Sequence, residues 1–307
     1  MRTKETTKTQ NAVFINPMTD FGFKRAFAQE DTKQVLISFL NALLEDEQRE
    51  IADLTFKDRE QDADNQDKKT VVLDLYCTDT EGREFIVEMQ QKSQPYFVDR
   101  MLYYASRAIV NQGKKGKEYM YELTPVYVIS FINFSLTGKS GKILREVFLV
   151  EKGETKQFTD KLKLFFIELP SFELKESECK TDFDKWIYVI KNMETLKYIP
   201  FKNDIEVLKH LEEVMRVTEL DPARQDEYEA SWKAYHDMIA QNAPLEEYEK
   251  VWREAAKKER KEGIAEGRAE GIKEGAKNTA TRLKSIGLSI EQIAEATGLS
   301  AEEIKDL

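Results

Sequence analysis

Apolar residues recur at helical spacing in two separate parts of the first half of the chain. Within residues 18–44 two apolar groups are separated by the polar run AQEDTK, which predicts two short helices. Residues 93–118 show the same spacing, with Pro95 in the first turn and a stop near Gly113. On this third helix we expect a buried stripe formed by Val98, Leu102, Ala105 and Ile109.

Other segments alternate polar and apolar residues, or are continuously apolar, and these predict a β-sheet. β-Branched and aromatic residues concentrate in the segments 54–60, 71–92, 125–134, 145–151 and 164–172. We expect 145–151 to pair between its two neighbours in this series. From about residue 182 onward every apolar pattern has helical spacing. This order predicts an α/β fold with a central mixed sheet flanked by helices, followed by an all-helical C-terminal extension.

The segment 71–92 contains two carboxylates whose register can be counted. Its turn, TDTEGRE, predicts a three-residue hairpin loop with Gly82 in the left-handed conformation. Counting outward from this loop places Asp74 directly opposite Glu88. Alternation gives one apolar face, with Val71, Leu73, Leu75, Cys77, Phe85, Val87 and Met89. The other face is mixed, with Val72, Asp74, Tyr76, Ile86, Glu88 and Gln90.

Opposed carboxylates on a partly covered face indicate a cation site. Like charges directly across a β-ladder repel one another, and a low local dielectric strengthens the repulsion. A divalent cation between Asp74 and Glu88 removes the repulsion, and hard oxygen ligands suit Mg²⁺ or Mn²⁺. Such a cation would hold a scissile phosphate and lower the pKa of a water molecule, which Gln90 would orient. The alternative is that both acids lie on the solvated face of a half-exposed hairpin.

Composition and charge exclude several classes of protein. The chain is 41% hydrophobic and 34% charged, as expected of a soluble globular protein with long solvated helices. It has no window of eighteen apolar residues, and the N-terminal MRTKETTKTQ lacks the apolar segment of a secretory signal. We therefore expect a cytoplasmic protein with no membrane partner. Two cysteines and two histidines are too few for a disulfide framework or a zinc site.

The net charge of −10 is unevenly distributed along the chain. Residues 201–307 hold 17 basic and 24 acidic side chains, which leaves 30 and 33 for residues 1–200. The first 200 residues are thus nearly neutral. A local basic patch can bind DNA in such a domain, since only charges near the phosphates count.

Five stretches of the first 175 residues together resemble a known family. They are MTDFGFKRAF, VVLDLYCTD, FIVEMQ, YFVDRMLYYASR and FIELPSF, in that order. An aspartate in a strand, a hairpin and then Glu-x-Gln resemble the PD-(D/E)xK nuclease superfamily. More closely, the chain is similar to the Rpn-type recombination-promoting nucleases, also labelled putative transposases. The resemblance implies a restriction-endonuclease-like core and a Mg²⁺-dependent (or Mn²⁺-dependent) endonuclease acting on double-stranded DNA, with a role in recombination or mobile elements.

The resemblance also implies roles for individual residues. Asp74 and Glu88 become the metal ligands, and Gln90 occupies the position of the superfamily's lysine. This is a departure, because a neutral amide carries no positive charge; Lys92, two residues on, would lend it. A further acid of the superfamily comes from its first helix and corresponds to Asp20, with Glu30 and Asp31 as the next candidates. A helix cap is the alternative role of Asp20. If Gln90 does not permit catalysis, the fold is a degenerate nuclease acting as a DNA- or protein-binding module.

Basic and aromatic residues near the hairpin are candidates for DNA contact. Three of them share the side of the third helix opposite its expected apolar stripe, namely Arg100, Tyr104 and Arg107. Three more lie in the loop GKKGKE, namely Lys114, Lys115 and Lys117. Without the resemblance, both groups are typical of a solvated surface.

Two features of the C-terminal part predict assembly rather than catalysis. Gly263, Gly267, Gly271 and Gly275 recur at intervals of four, which would let a second helix approach closely in a homo-oligomer. A loosely helical linker is the alternative. Residues 288–307 resemble a helix-turn-helix whose second helix is acidic, which favours a docking module over a DNA reader. The expected divisions are a disordered tail (1–15), the nuclease-like domain (16–200), a long charged helical region (201–283) and a small helical hairpin (284–307).

Overall fold

A computed structural model describes residues 12–47, 50–61, 71–114, 120–137, 141–240, 275–285 and 289–305. The chain divides into two compact units, Met1–Ala240 and Gln241–Leu307.

The first unit is built around a six-stranded mixed sheet. Its strands are β1 (Leu54–Phe56), β4 (Leu75–Asp79), β5 (Glu84–Gln90), β6 (Val126–Ile132), β7 (Leu144–Phe148) and β8 (Leu162–Glu168), in the spatial order β1-β4-β5-β6-β8-β7. β1, β4 and β5 are antiparallel, β5, β6 and β8 are parallel, and β7 is antiparallel to β8. A separate antiparallel pair is formed by β2 (Glu60–Gln61) and β3 (Val71–Val72).

Helices cover both faces of this sheet. They are α1 (Asp20–Phe27), α2 (Lys33–Leu43), α3 (Phe97–Asn111), α4 (Asp182–Asn192), α5 (Val207–Val214) and α6 (222–240). Short 3₁₀ turns occur at Glu45–Glu47, Leu169–Ser171, Glu176–Glu178, Met193–Thr195 and Val217–Glu219. One apolar cluster joins the sheet to α1, α2, α4 and α5, and a second joins it to α3. The expected architecture of a central mixed sheet flanked by helices is confirmed.

The third helix packs on a different stripe from the one expected. Its buried residues include Phe97, Met101, Ala105 and Ala108, whereas Val98 and Leu102 remain about 42% and 41% exposed. The helix begins only at Phe97, so Pro95 precedes it. Both stripes fit a 3.6-residue period, and the choice between them depends on how the helix meets the sheet.

Two further expectations about the sheet were wrong in detail. β7 does not lie between β6 and β8; it pairs with β8 at the edge. The expected strand 54–60 is divided, because β1 joins the large sheet while β2 pairs with β3. None of the five residues of β7 is buried, as expected of a strand at the edge of a sheet.

The core of the first unit extends past both expected domain boundaries. Phe14 and Ile15, assigned to a disordered tail, are fully buried. Leu208, Leu211 and Tyr228, assigned to the helical region after residue 200, belong to the same apolar cluster as α1 and α2. The helices after residue 200 therefore complete the core of this unit.

The described parts of the second unit are helical, as expected. Residues 275–285 are helical, and α7 (Ile290–Thr297) and α8 (Ala301–Lys305) follow. Ala280, Ile293, Leu299 and Ile304 form a small apolar cluster. Gly298, at φ 70°, ends α7. Of the glycines at intervals of four, Gly263, Gly267 and Gly271 lie outside the described residues, and self-association remains a prediction.

Across the ranges that the structure describes, none of the helices combines the length and the apolarity needed to cross a bilayer.

Candidate active site

The hairpin of β4 and β5 brings Asp74 opposite Glu88, as its turn predicts. Gly82 has φ 80°, and the ladder runs from Thr78↔Glu84 to Leu75↔Val87, so the next position pairs the two acids. The regular strand ends at this point. Leu73, expected on the face of Leu75, instead packs in the apolar cluster beneath α3.

Side chains replace the backbone ladder where the strand ends. The backbone N–H of Asp74 donates to Glu88 Oε1 at 3.1 Å. In return, Asp74 Oδ2 accepts a hydrogen bond from the backbone N–H of Met89 at 2.9 Å. These reciprocal bonds hold each carboxylate against the other strand. Each bond uses one of the roughly four acceptor sites of its carboxylate, so acceptor capacity remains for further ligands.

Glu88 has surroundings that differ from those of the other buried acids. Only 6% of its surface is exposed, so it does not lie on a solvated face, and that alternative is wrong for this residue. Three other acids are buried in the described part of the chain, and each has a basic partner within 4 Å, in the pairs Asp79–Arg83, Glu84–Lys57 and Glu168–Arg145. Among the same residues, no basic side chain lies within 4 Å of Glu88.

The pKa values of both carboxyls are raised. For Glu88 the larger cause is burial and the second is the charge of Asp74, which together raise its pKa to about 8. Burial also raises the pKa of Asp74, against the opposing effect of the Met89 N–H bond. A buried pair that resists ionisation binds a cation strongly once deprotonated, because the cation removes the repulsion.

Gln90 lies beside this pair but its amide is occupied. Its Oε1 accepts a hydrogen bond from Arg100 Nη2, and its Nε2 donates to the backbone carbonyl of Lys92 at 2.9 Å. Lys92 is exposed. Within the described ranges, its ammonium has no ion pair with either carboxylate, so the structure brings its backbone, not its charge, to Gln90.

The candidate DNA-binding residues of α3 lie at different depths. Tyr104 is half-buried, and its pKa is raised by burial and then by the charges of Glu88 and Asp74, which places it near the carboxylates. Arg107 is buried, which does not fit the solvent-facing role expected of it. Lys114 is exposed at the end of the helix. Lys115 and Lys117 lie outside the described residues.

Asp20 lies within electrostatic range of Asp74, but it does not cap α1. The cap is Thr19, whose Oγ1 accepts from the N–H of Gly22 at 3.0 Å, so the cap reading of Asp20 was wrong. The Asp20 side chain is 67% exposed and pairs with Lys24 at 2.7 Å. Its charge contributes to the raised pKa of Asp74.

A basic cavity beside Asp20 was missed at the sequence level. It has a volume of about 210 Å³, and its charged lining consists of three basic side chains, Lys24, Arg25 and Arg224, and two acidic ones, Asp20 and Glu227. The pKa of Arg25 is lowered by burial and then by the charge of Arg224, so the two guanidinium groups lie near each other. Lys24 and Arg25 follow Asp20 by about one helical turn, so the sequence pattern could have identified them as its neighbours. Arg224 lies 200 residues further on, and only the fold shows its contribution.

The donor set decides which metal ion would fit. Among the described residues, no three or more His, Cys, Asp or Glu side chains group together as a metal site. Asp74 and Glu88 offer two carboxylates. Mg²⁺ is commonly held by one or two carboxylates together with water and substrate phosphate, whereas zinc needs more nitrogen or sulfur ligands. The residues present therefore fit Mg²⁺ or Mn²⁺.

Comparison with known families gives one match. Residues 17–243 match a family model described as PD-(D/E)XK nuclease family transposase. This range includes both carboxylates, Gln90 and α3. Searches of curated proteins and of solved structures gave no match.

Proposed function

The chain belongs to the PD-(D/E)XK nuclease family transposases, and from this membership we propose that it is a metal-dependent endonuclease of double-stranded DNA. The observation that carries the proposal is Glu88, which is buried against Asp74 with no cation within 4 Å among the described residues. An arrangement that raises the pKa of two carboxyls is unfavourable for folding. It becomes favourable when a divalent cation occupies the space between them.

In this proposal the residues of the hairpin hold the metal ion and the phosphate. Asp74 and Glu88 are the ligands, kept in place by the bonds from Met89 N–H and Asp74 N–H. When bound, Mg²⁺ would supply Lewis-acid polarisation of the phosphate and a lowered pKa for the attacking water. Tyr104 of α3 lies within electrostatic range of both carboxylates and borders the site on that side.

The basic cavity beside Asp20 supports contact with DNA next to this site. Its lining holds three cationic groups, Lys24, Arg25 and Arg224, against two acids, Asp20 and Glu227, which gives it a net positive charge. Nη groups of arginine match phosphate oxygens in geometry, and such contacts fix the register of a duplex without reading its sequence. Lys114, which is exposed just after the end of α3, is a further candidate for contact with DNA phosphates.

The wider biological role rests on the family description. Its word "transposase" supports promotion of DNA recombination, linked to mobile elements. We propose the cytoplasm as the place of this activity. Assembly into a homo-oligomer through the C-terminal helices would place two active sites on one duplex.

A second function is favoured by one residue. Gln90 stands where the superfamily has lysine, and a neutral amide stabilises developing negative charge less than an ammonium group does. A nuclease-like fold that has lost catalysis and binds DNA or protein is therefore the alternative proposal.

Cleavage of supercoiled plasmid separates the two. We expect nicking by the wild type in Mg²⁺ or Mn²⁺ and none in EDTA. Asp74→Asn and Glu88→Gln should each lower the rate on the order of 10³-fold. Glu146→Gln, at an exposed acid of the edge strand β7, is the matched control and should cleave normally. DNA binding without cleavage by the wild type in every metal would support the binding module instead.

A further inference from the structure

The proposed active site needs a cation in addition to its metal ion. Hydrolysis of a phosphodiester concentrates negative charge on the phosphate oxygens. Asp74 and Glu88 add two further negative charges, and Gln90, the neighbouring side chain on β5, is neutral. A site of this composition stabilises its transition state better if a fixed positive group lies beside the carboxylates.

Two lysines near the site are poorly placed for this role. Lys24 already pairs with Asp20 at 2.7 Å. Lys92 is exposed, and its backbone carbonyl rather than its ammonium contacts Gln90.

Arg100 of α3 is held at the site by neutral groups only. Its Nη1 donates to Gln94 Oε1 at 2.9 Å, and its Nη2 donates to Gln90 Oε1. Its Cζ lies 5.5 Å from the centre of the Phe97 ring. Within the described part of the chain no carboxylate lies within 4 Å of this guanidinium, so its charge is positioned but not neutralised. Its Nε is buried and has no hydrogen-bond acceptor among those residues.

The charge of Arg100 acts on both carboxylates. It opposes the rise in pKa of Asp74 and of Glu88, which shows that the guanidinium lies within electrostatic range of each. Gln90 has its amide oxygen on Arg100 and its amide nitrogen on the backbone of residue 92. The amide is thus a support for the guanidinium rather than a group available to substrate.

We propose that Arg100 supplies the positive charge that Gln90 lacks, by contacting a non-bridging oxygen of the scissile phosphate, and that Gln90 is its positioning residue. This inference rests on the proposed nuclease function. In the hydrolysis, the oxygen of one water bonds to phosphorus and the bond from phosphorus to one deoxyribose oxygen breaks. One proton of that water ends on the leaving oxygen, and the other stays with the phosphate or passes to solvent. Arg100 keeps its protons throughout.

Substitution of Arg100 is the first test. With plasmid and Mg²⁺, Arg100→Gln should lower the cleavage rate by about 10²-fold, and Arg100→Lys, which keeps the charge, by only about 10-fold. Lys197→Gln, at an exposed lysine outside the site, is the control for loss of one positive charge. Thermal melting of each variant checks that it is folded. Cleavage by folded Arg100→Gln within threefold of the wild type would overturn the proposal.

A second variant tests the chemistry independently of the local packing. If charge is what Arg100 supplies, a lysine at residue 90 should restore it, so Gln90→Lys combined with Arg100→Gln should cleave at least about 10-fold faster than Arg100→Gln alone. A purely structural role for Arg100 predicts no rescue, because lysine does not rebuild its contacts with Gln94 and Phe97. No rescue in a folded double variant would therefore contradict the proposal.

Binding of Mn²⁺ in the absence of DNA gives a readout that does not depend on cleavage. A cation beside the carboxylates repels a bound metal ion, so Arg100→Gln should lower the Kd for Mn²⁺ by about 5-fold, whereas Lys197→Gln should not change it. Unchanged or weaker Mn²⁺ binding by Arg100→Gln would count against the inference. If the wild type binds Mn²⁺ with this dependence but cuts no DNA, the proposed function fails while the position of the charge is upheld.

Discussion

The acids at the two ends of one hairpin have opposite surroundings. At the turn, Asp79 contacts Arg83 Nε at 2.5 Å and accepts hydrogen bonds from the backbone N–H groups of Glu81 and Arg83. At the open end, Asp74 and Glu88 accept one backbone N–H each and have no cation within 4 Å among the described residues. Both ends bury carboxylate at a cost in desolvation. Within the described residues, the turn end offsets that cost with a contacting guanidinium, whereas the open end has only the more distant charge of Arg100.

This difference separates an acid that stabilises the fold from a pair available for binding. At the turn, charge and hydrogen bonds are satisfied within five residues, so the acid contributes to the conformation of the loop. The open end leaves both charge and coordination incomplete. Regions of that kind are where stability is given up for function.

The largest expected effect is at the turn. Asp79→Asn removes the negative charge next to the buried guanidinium of Arg83, and we expect a loss of about 3–5 kcal/mol in the free energy of unfolding. Urea unfolding of the metal-free protein measures it. A loss below about 1 kcal/mol would show that this ion pair does not stabilise the hairpin.

The matched change at the open end should have the opposite sign. Glu88→Gln keeps the size of the side chain and removes a buried charge, so at pH 9 without metal it should stabilise the protein by about 2 kcal/mol. Destabilisation of Glu88→Gln comparable to that of Asp79→Asn would remove the distinction between the two ends.

The stability of the wild type should depend on pH through the same residue. The folded-state pKa of Glu88 is raised from its ordinary value of 4.5 to about 8, so between these values the folded protein binds more protons than the unfolded chain. Unfolding free energy in EDTA should therefore fall as pH rises through this window. In Glu88→Gln this decline in unfolding free energy should be smaller. Equal slopes of unfolding free energy against pH in both proteins would mean that other groups cause the decline.

Added Mg²⁺ should restore the free energy of unfolding that is lost when the carboxylates of the open end ionise. At ten times its Kd, a ligand that binds the folded state alone stabilises it by about 1.4 kcal/mol. We expect this gain in the wild type at pH 8 and none in Asp74→Asn or Glu88→Gln. Equal gains in all three, measured by thermal unfolding, would place the ion elsewhere.

An effect of similar size on stability, with no effect on cleavage, is expected at the glycine of the turn. Gly82 has φ 80°, and an added Cβ would lie 3.2 Å from Thr124 Cγ2. Gly82→Ala should cost about 1–2 kcal/mol of stability and leave the rate of plasmid cleavage by the folded protein unchanged. A change in cleavage larger than the change in folded fraction would mean that the turn and the carboxylate pair are coupled.

Some of this arrangement was accessible from the sequence because it depends on local rules. The glycine of the turn fixes the register, and the register brings Asp74 to Glu88. The mixed sheet and its flanking helices follow from periodicity and element order.

The remaining features depend on contacts between distant parts of the chain. Two apolar stripes of α3 fit a helical period equally well, and only docking on the sheet selects the one that contains Phe97. The same docking brings Arg100 to Gln90. The strand break before Asp74 requires β3 to pair with β2, and the cavity requires Arg224 to reach α1, neither of which a local pattern reveals.

The most direct measurement of the central claim is the Mg²⁺-dependent cleavage rate of supercoiled plasmid by wild type, Glu88→Gln and Asp79→Asn, each corrected for its folded fraction. The account predicts that Glu88→Gln is folded and loses cleavage on the order of 10³-fold, while folded Asp79→Asn cleaves at the wild-type rate. Full cleavage by Glu88→Gln would contradict it.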